Sequence, residues 1–211
     1  MDLKSMLQIA ILAAEEASKE ILTVYHSGDF QAEAKGDNSP LTLADKKGHD
    51  AIAKILQQSN LPVLSEEGRS ILYEERKDWD YFWMVDPLDG TKEFLKRNGA
   101  TTPLAKRNAI DLAQPALRIV ASRSHMSEET QEFINKLTDP TLVSQGSSLK
   151  FMLLAEGKAD VYPRFAPTME WDTAAAHAVV KSVGLNVFQH GTTDEVVYNK
   201  IDLLNPWFLV I

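Results

Sequence analysis

The sequence predicts a layered α/β fold in which helices alternate with short strands along the chain. Segments with apolar residues at helical spacing are followed by short runs of branched and aromatic residues, which are typical of strands. The chain has 211 residues, of which 44% are hydrophobic and 25% charged. A chain of this size and composition can bury a substantial core in one domain or in two tightly packed lobes.

Two helices are predicted in the first sixty residues. Apolar residues recur at helical spacing from Leu3 to Tyr25, and a glycine suited to end a helix follows shortly afterwards. After a polar loop at residues 35–40, Thr42 is a suitable N-cap for a second helix. The apolar residues of segment 52–56 would lie on the buried side of that helix.

Two strands are predicted next, at residues 61–65 and 81–85. Both are short apolar runs, and the second is expected to be buried. Each strand is followed directly by an acidic residue, Glu66 after the first and Asp86 after the second.

The second half of the chain continues the alternation. Branched residues indicate its first strand, Ser127 with two following glutamates is a favourable helix start, and glycines end the last two helices. The predicted elements are a strand at 117–122, a helix at 127–137, a helix at 147–156, a strand at 160–162 and a helix at 172–183.

Composition limits the partners and the compartment. The chain has no cysteine, which excludes disulfides and thiolate zinc sites and fits a reducing compartment. No apolar run approaches the roughly 18 residues of a membrane span, and no signal-peptide pattern is present. We therefore expect a cytoplasmic protein without integral membrane association, while peripheral association stays open. The net charge of −8 argues against nucleic-acid polymers, so a phosphorylated partner would be small and neutralised by metal ions and local cations.

The most informative segment is 84–94, with the sequence M-V-D-P-L-D-G-T-K-E-F. Asp86 and Asp89 follow directly after a predicted strand, and a proline between them fixes the bend of the backbone. A glycine then allows a tight turn, and Thr91 can start a helix. Crowded carboxylates repel one another unless a cation lies between them. The backbone N–H groups of a strand–turn–helix can in turn bind a phosphate. The segment therefore predicts a cation-dependent phosphate site.

Together with other strings, this segment resembles the inositol monophosphatase superfamily, and most of all its CysQ-type branch of 3′(2′),5′-bisphosphate nucleotidases. The superfamily-level strings are D-N-S-P-L-T-L-A-D at 37–45, L-S-E-E at 64–67 and E-W-D-T-A-A at 170–175. The branch-level strings are S-R-S-H at 122–125, G-S-S-L-K at 146–150, Y-N-K at 198–200 and L-N-P-W-F at 204–208. The resemblance covers nearly the entire chain in the family's order.

The resemblance implies a five-layer α-β-α-β-α sandwich of the sugar-phosphatase type. Residues 1–121 would form a metal-binding lobe, and residues 122–211 would complete the metal site and the nucleotide pocket. It further implies a lithium-sensitive phosphatase of sulfur metabolism that uses a metal-activated water to convert adenosine 3′,5′-bisphosphate to AMP and phosphate. The alternatives are an inositol or sugar monophosphatase and a catalytically inactive nucleotide sensor. Both a monomer and a homodimer are compatible with the family.

The same resemblance implies a site for two or three Mg²⁺ ions, for which Mn²⁺ can substitute. Hard oxygen ligands suit both metals. Asp86 would bridge two ions, with Glu66 and the Leu88 carbonyl on one and Asp89 and Asp172 on the other. Taken singly, Asp89 could instead be an ordinary turn residue and Asp172 a helix N-cap.

Two residues are implied as catalytic. By resemblance, Asp45 and the Thr91 hydroxyl orient and deprotonate the attacking water. Thr42 and Asp45 also have the spacing of a helix capping box, and Thr91 is placed to cap its own helix, so a structural role is open for both.

The substrate-binding residues follow from the branch-level strings and the metal site. Ser122, His125 and Gly146 would line the adenosine pocket, and Lys150 would reach a phosphate. A solvated surface lysine and a structural histidine are the simpler alternatives, and the remaining histidines of the chain show no metal-ligand spacing. The residues implied to contact the substrate at the metal site are Glu66, Leu88, Asp89, Gly90, Thr91 and Asp172.

The sequence departs from the family pattern near residues 99–100. Relatives continue after the F-L-K-R-N-G string at 94–99 into two sheet strands, whereas A-T-T-P at 100–103 follows directly here. We hypothesise that a segment of the first sheet is missing between residues 99 and 100. A naturally shortened variant, with ordinary bonding through residues 97–103, is the alternative.

Overall fold

Helices and short strands alternate in both halves of the chain, which confirms the predicted mixed α/β class. The structure is a computed structural model that describes residues 2–29, 33–34, 40–89, 104–121 and 126–211, with backbone alone for 33–34 and 40–41. The chain divides into two units, residues 1–97 and 98–211.

The N-terminal unit contains a pair of antiparallel strands, a pair of parallel strands and two long helices. Its elements are α1 (Leu3–Ser27), β1 (Glu33–Ala34), β2 (Pro40–Leu41), α2 (Leu43–Leu56), a 3-10 turn (Gln57–Ser59), β3 (Val63–Ser65), α3 (Tyr73–Arg76) and β4 (Trp83–Val85).

The two long helices confirm the predictions from periodicity and capping. Gly28 takes a left-handed conformation with φ of 72° at the end of α1, where a residue with a Cβ would be strained. Thr42 caps α2, as predicted. The buried face of α1 carries Ala13 and Ala17, however, while Leu3 is 69% exposed. Ala13, Ala17 and Val24 are thus the buried residues of α1, whereas Leu3, Leu7 and Leu12 are exposed.

The C-terminal unit is built on a sheet of mixed direction. Strands β5 and β6 pair in parallel, β9 lies between β7 and β8 in antiparallel pairing, and a parallel bridge joins Ile119 to Val161. Its elements are β5 (Arg118–Ala121), α4 (Glu128–Asn135), β6 (Thr141–Ser144), α5 (Leu149–Ala155), β7 (Tyr162–Arg164), α6 (Ala174–Ser182), β8 (Val187–Gln189) and β9 (Phe208–Val210).

An aromatic group lies at the centre of the main core of this unit. Phe151, Tyr162 and Phe208 are all buried, with ring centroids 5.2–5.8 Å apart. A second cluster packs Ile110 and Leu112 against the β5 region. Residues 104–121, which the sequence places with the N-terminal lobe, therefore pack in the C-terminal unit.

Several boundaries differ from the prediction. The second strand begins at Trp83, and Tyr81, predicted to be buried in it, is 56% exposed. The strand predicted at 160–162 corresponds to β7, which begins and ends two residues later. Val161 forms only an isolated bridge with Ile119, so continuous pairing starts at Tyr162. The last predicted helix begins at Ala174, after a turn.

The hypothesis of a missing segment between residues 99 and 100 falls outside the described residues. None of the helices in the described part of the chain is long and apolar enough to cross a membrane.

Candidate metal centre and anion pocket

Glu66 and Asp86 follow two neighbouring strands, and their carboxylates lie close together. Because β3 and β4 are parallel with Ser65 opposite Val85, the next residue of each strand lies at the same edge. The Glu66 N–H donates to the Val85 carbonyl at 3.0 Å, which extends the strand pairing to the first acid. A carboxylate oxygen of each acid lies within 4.8 Å of one from the other, and both residues are half-buried. A cation with oxygen ligands would relieve their repulsion, so the pair fits Mg²⁺ or Mn²⁺.

The turn at residues 87–89 fixes the Asp86 side chain. The Leu88 N–H donates to Asp86 Oδ1 at 3.1 Å, and Pro87 is buried beneath the turn. Asp89 lies at the exposed end of the turn and, among the described residues, does not join Glu66 and Asp86 in one tight cluster of carboxylates. The metal roles of Leu88 and Asp89 stay predictions.

The Asp45 carboxylate is buried and forms the capping box that its spacing predicts. Asp45 Oδ2 accepts from the Thr42 N–H at 2.7 Å and from the Thr42 hydroxyl at 2.5 Å, and Thr42 Oγ1 accepts from the Asp45 N–H at 3.4 Å. The structural role of Asp45 is confirmed. Its catalytic role stays a prediction, and the two roles are compatible.

Helix α2 lies against both acidic strand ends of the N-terminal unit. A Cβ built on Gly48 would lie 3.5 Å from the Pro87 carbonyl oxygen and 3.1 Å from Ile21 Cδ1, so the glycine allows this packing without displacing the Ile21 side chain. One residue further on, His49 Nδ1 forms a 2.9 Å hydrogen bond with the hydroxyl of Ser65, the neighbour of Glu66. Sequence reasoning gave His49 no role, because a single histidine on a helix carries no signal for a contact 16 residues away.

Asp172 lies in the turn that leads into α6 of the C-terminal unit. Its Oδ2 accepts from the Met169 N–H at 2.8 Å, so the carboxylate is anchored to its own turn. Thr173 occupies the N-cap position of α6, so the alternative that Asp172 is the N-cap is wrong. The metal role of Asp172 stays a prediction.

Lys150 is buried in the C-terminal unit, and the alternative of a solvated surface lysine is wrong. It is 5% exposed and lies in the first turn of α5, after the loop that contains Gly146. Its Nζ donates to the Ser147 carbonyl at 3.3 Å and lies 5.4 Å from the centre of the Tyr162 ring. The lysine lines a pocket in this unit, and its role in substrate binding stays a prediction, as does that of Gly146.

Arg164 is a candidate that sequence reasoning missed. It lines the same pocket as Lys150 and, two residues after Tyr162, lies on the same side of β7. Phe165 contributes a second ring to the lining. Lys150 and Arg164 therefore place two cations on the lining of one small pocket, and positive charge of this kind suits a phosphate. The alternation of side chains along a strand would have placed Arg164 on the same side as Tyr162. Arg164 was missed because the predicted strand ended at residue 162.

Four predicted substrate or catalytic residues fall outside the described residues, and their roles stay predictions. They are Gly90, Thr91, Ser122 and His125.

The chain is similar to known proteins over almost its entire length. The profile of the inositol monophosphatase family matches residues 2–113 and 97–206. A curated relative from Salmonella typhimurium, named 3′(2′),5′-bisphosphate nucleotidase CysQ, is 37% identical over an alignment that covers 97% of this chain and 99% of the relative.

Solved structures confirm the fold. The crystal structure of CysQ from Bacteroides thetaiotaomicron is 41% identical, with a TM-score of 0.79, and the match covers 98% of this chain and 96% of that one. A staphylococcal inositol monophosphatase-1, solved as a lithium-soaked inhibitory complex, has a TM-score of 0.75 at 15% identity, covering 100% of this chain and 90% of that one. At that identity the likeness concerns the fold alone, which is the predicted sugar-phosphatase fold.

The relatives are longer than this chain. The Salmonella alignment runs over 247 positions, whereas 97% of 211 residues is about 205, which leaves about 42 positions without a counterpart here. The two segments that match the family profile overlap at residues 97–113, around the point where a missing segment is hypothesised. The profile match over nearly every residue and the high coverage of close relatives agree: the chain belongs to the inositol monophosphatase family.

Proposed function

We propose that this chain is a Mg²⁺-dependent nucleotidase that hydrolyses the 3′-phosphate of adenosine 3′,5′-bisphosphate to give AMP and phosphate. The observation that carries the proposal is its 37% identity to a protein named 3′(2′),5′-bisphosphate nucleotidase over 97% of the chain. In the reaction, a water oxygen bonds to phosphorus, the bond from phosphorus to the 3′ oxygen breaks, and the leaving oxygen takes a proton. Because this substrate is a by-product of sulfate assimilation, we place the enzyme in sulfur metabolism.

The acidic strand ends would form the metal site. Glu66 and Asp86 supply hard oxygen ligands from a fixed edge of parallel strands, and Leu88, Asp89 and Asp172 are proposed to complete the set. When bound, Mg²⁺ lowers the pKa of water and neutralises charge on the attacking and leaving oxygens. We propose that the site binds two or three Mg²⁺ ions, for which Mn²⁺ can substitute.

The chain's own catalytic groups would act on the water and on the substrate phosphate. Asp45 is proposed to accept the proton of the attacking water, with Thr91 orienting that water and Gly90 contacting the phosphate. In the structure Asp45 is buried with a fixed orientation, because Thr42 donates twice to one of its oxygens. A carboxylate held in this way loses little freedom when it acts as a base.

The pocket of the C-terminal unit would recognise the nucleotide. Lys150 and Arg164 provide positive charge for a phosphate, and the buried rings of Tyr162 and Phe165 line the same small pocket. We propose that Ser122, His125 and Gly146 contribute to the same recognition. An inositol monophosphate lacks the second phosphate and the base, so the pocket would add little to its binding.

The test of the proposed function is phosphate release from a substrate panel, with and without Mg²⁺. The panel contains adenosine 3′,5′-bisphosphate, its sulfated relative and an inositol monophosphate. We expect Mg²⁺-dependent release with a higher kcat/KM for the adenosine compounds. Preference for the inositol phosphate would establish the alternative monophosphatase. No release from any member would favour the inactive nucleotide sensor.

Replacing Lys150 with methionine is expected to separate the two substrate classes. Methionine fills the buried space without the charge, so a lost charge-assisted contact of about 1.5–3 kcal/mol would lower kcat/KM for adenosine 3′,5′-bisphosphate about tenfold to a hundredfold. Hydrolysis of an inositol monophosphate should change much less. Lys158→Met is the matched control, because Lys158 is exposed and pairs with Glu156. Equal losses on both substrates would assign Lys150 to the structure of the unit rather than to recognition.

Lithium is expected to inhibit phosphate release at concentrations at which sodium and potassium do not. The expectation rests on the resemblance to the lithium-sensitive family. Initial rates at fixed Mg²⁺ with matched ionic strength of LiCl, NaCl and KCl measure the effect. Equal responses to the three salts would count against a metal site of the family type.

A further inference from the structure

We infer that Glu170, Lys200 and Asn205 are positioning residues that hold the turn carrying Asp172, and through it the Asp172 carboxylate, in the orientation needed to bind a divalent cation. The inference deepens the proposed function, on which it rests. All of its contacts lie within the C-terminal unit.

Glu170 is a fully buried carboxylate that faces three donors. Its exposed fraction is 0%, and its Oε1 accepts from the Lys200 N–H at 3.0 Å and from the Lys200 ammonium at 2.5 Å. Its Oε2 accepts from the Asn199 N–H at 2.6 Å. Asn199 takes a left-handed conformation with φ of 64°, which helps two successive N–H groups to face the carboxylate. Burying a carboxylate costs free energy unless hydrogen bonds and an opposite charge stabilise it. The three hydrogen bonds to Glu170 therefore fix segment 199–200 against this residue.

The Lys200 ammonium continues the network to Asn205. Lys200 Nζ lies 3.5 Å from Asn205 Oδ1, and its side chain is 23% exposed. Asn205 is 5% exposed, and its side-chain amide donates to the Met169 carbonyl at 2.8 Å and to the Thr173 hydroxyl at 3.0 Å. The amide thereby contacts the turn on both sides of Asp172.

Backbone pairing connects the same two segments. The Glu170 N–H donates to the Leu203 carbonyl at 3.0 Å, and the Asn205 N–H donates to the Thr168 carbonyl at 2.8 Å. Segment 168–170 is therefore paired with segment 203–205 through the backbone. Hydrogen bonds of the Glu170 and Asn205 side chains stabilise the same arrangement.

The orientation of the Asp172 carboxylate depends on this pairing of segments 168–170 and 203–205. Its Oδ2 accepts from the Met169 N–H, and the carbonyl of the same residue is held by Asn205. A shift of residue 169 would therefore rotate the Asp172 side chain. Groups that orient a metal ligand in this way commonly change metal affinity or activity about tenfold to a hundredfold when they are replaced.

The test measures binding of Mn²⁺ to the metal-free chain, with free Mn²⁺ quantified by electron paramagnetic resonance. We compare the unchanged chain with Glu170→Gln, Lys200→Met and Asp172→Asn, at a temperature at which circular dichroism finds each variant folded. Asp172→Asn should lose the affinity attributed to its carboxylate. We expect Glu170→Gln and Lys200→Met each to raise the Kd about tenfold.

The two variants also separate positioning from a simple charge effect. Removing the negative charge of Glu170 would weaken cation binding through space, whereas removing the positive charge of Lys200 would strengthen it. Weaker Mn²⁺ binding in both variants therefore supports positioning. Tighter binding in Lys200→Met would overturn it.

Asp160→Asn is the matched control. Asp160 resembles Glu170 in its contacts, because its carboxylate accepts from the Arg118 N–H at 2.9 Å and pairs with the Arg118 guanidinium at 2.6 Å. This pairing lowers the pKa of the Asp160 carboxyl from its usual range. The control should lower the Tm of the metal-free chain while leaving the Mn²⁺ Kd unchanged. If it weakens Mn²⁺ binding as much as Glu170→Gln does, the effect is general destabilisation and the inference fails.

The outcomes distinguish this inference from the proposed function. If the unchanged chain binds Mn²⁺, Asp172→Asn weakens binding, and both network variants bind normally, only the inference fails. If the unchanged chain binds no Mn²⁺, the proposed metal site fails and the inference falls with it. If Glu170→Gln does not fold, Lys200→Met decides alone, because its side chain is partly exposed.

Discussion

Replacing Asp86 with asparagine is expected to abolish Mg²⁺-dependent phosphate release while leaving the fold intact. The loss of one metal-facing carboxylate removes several kcal/mol of transition-state stabilisation, and about 4 kcal/mol corresponds to about a thousandfold in rate. The asparagine oxygen can still accept from the Leu88 N–H, which donates to Asp86 at 3.1 Å. Because the repulsion with Glu66 is relieved, the free energy of unfolding of the metal-free chain should hold or rise slightly.

Asp80→Asn is the matched control for this experiment. Asp80 is an exposed acid in the same unit, six residues before Asp86, and its replacement removes the same charge from the surface. Rates at saturating Mg²⁺ and urea unfolding of both variants complete the comparison. Near-normal activity of Asp86→Asn would disprove the assignment of Asp86 to the metal.

Replacing Asp45 with asparagine is expected to lower kcat about a hundredfold to ten-thousandfold with little change in KM. This range is typical of the loss of a general base. The asparagine keeps an acceptor for the Thr42 N–H and hydroxyl, so the helix cap is largely preserved and the stability loss should stay within about 1 kcal/mol. The variant thus removes the proposed base while retaining most of the capping geometry.

Asp2→Asn tests the effect of the same chemical change at another helix start. Asp2 caps α1 by accepting from the Lys4 N–H at 3.0 Å, and it has no proposed role in catalysis. Thermal unfolding and steady-state kinetics of both variants are the measurements. If Asp45→Asn loses stability but keeps its kcat, capping is the whole role of Asp45.

Helices with strong local signals were predicted close to their observed bounds. The starts of α2 and α4 follow from Thr42 and Ser127, whose side chains accept from N–H groups of their own first turns. Such contacts join residues two or three positions apart, so the sequence contains all the information they need. The buried face of α1 was harder to predict from hydrophobicity. The large apolar residue Leu7 is exposed, whereas the small residue Ala17 is buried.

Strands were harder to predict, because each exists only by pairing with a distant segment. Neither β8 nor β9 was predicted, although Asn186 and Ile211 exchange two backbone hydrogen bonds at 2.7 and 3.1 Å. Tyr81 belongs to an apolar run but remains exposed, since the partner of that run pairs only from Trp83 onwards. Apolar character alone does not show where a strand finds its partner.

The sequence alone determined the fold class, the family and the acids that follow the two parallel strands. These depend on residue order, on capping motifs and on strings of residues that resemble the family. The tertiary structure alone decided which groups become buried and which distant residues meet. Lys150 is enclosed instead of solvated, Arg164 shares its pocket, and Glu170 pairs with Lys200, thirty positions away. The physical reason is that burial and long-range charge pairing arise only when separate segments pack together, and neither leaves a periodic pattern in the sequence.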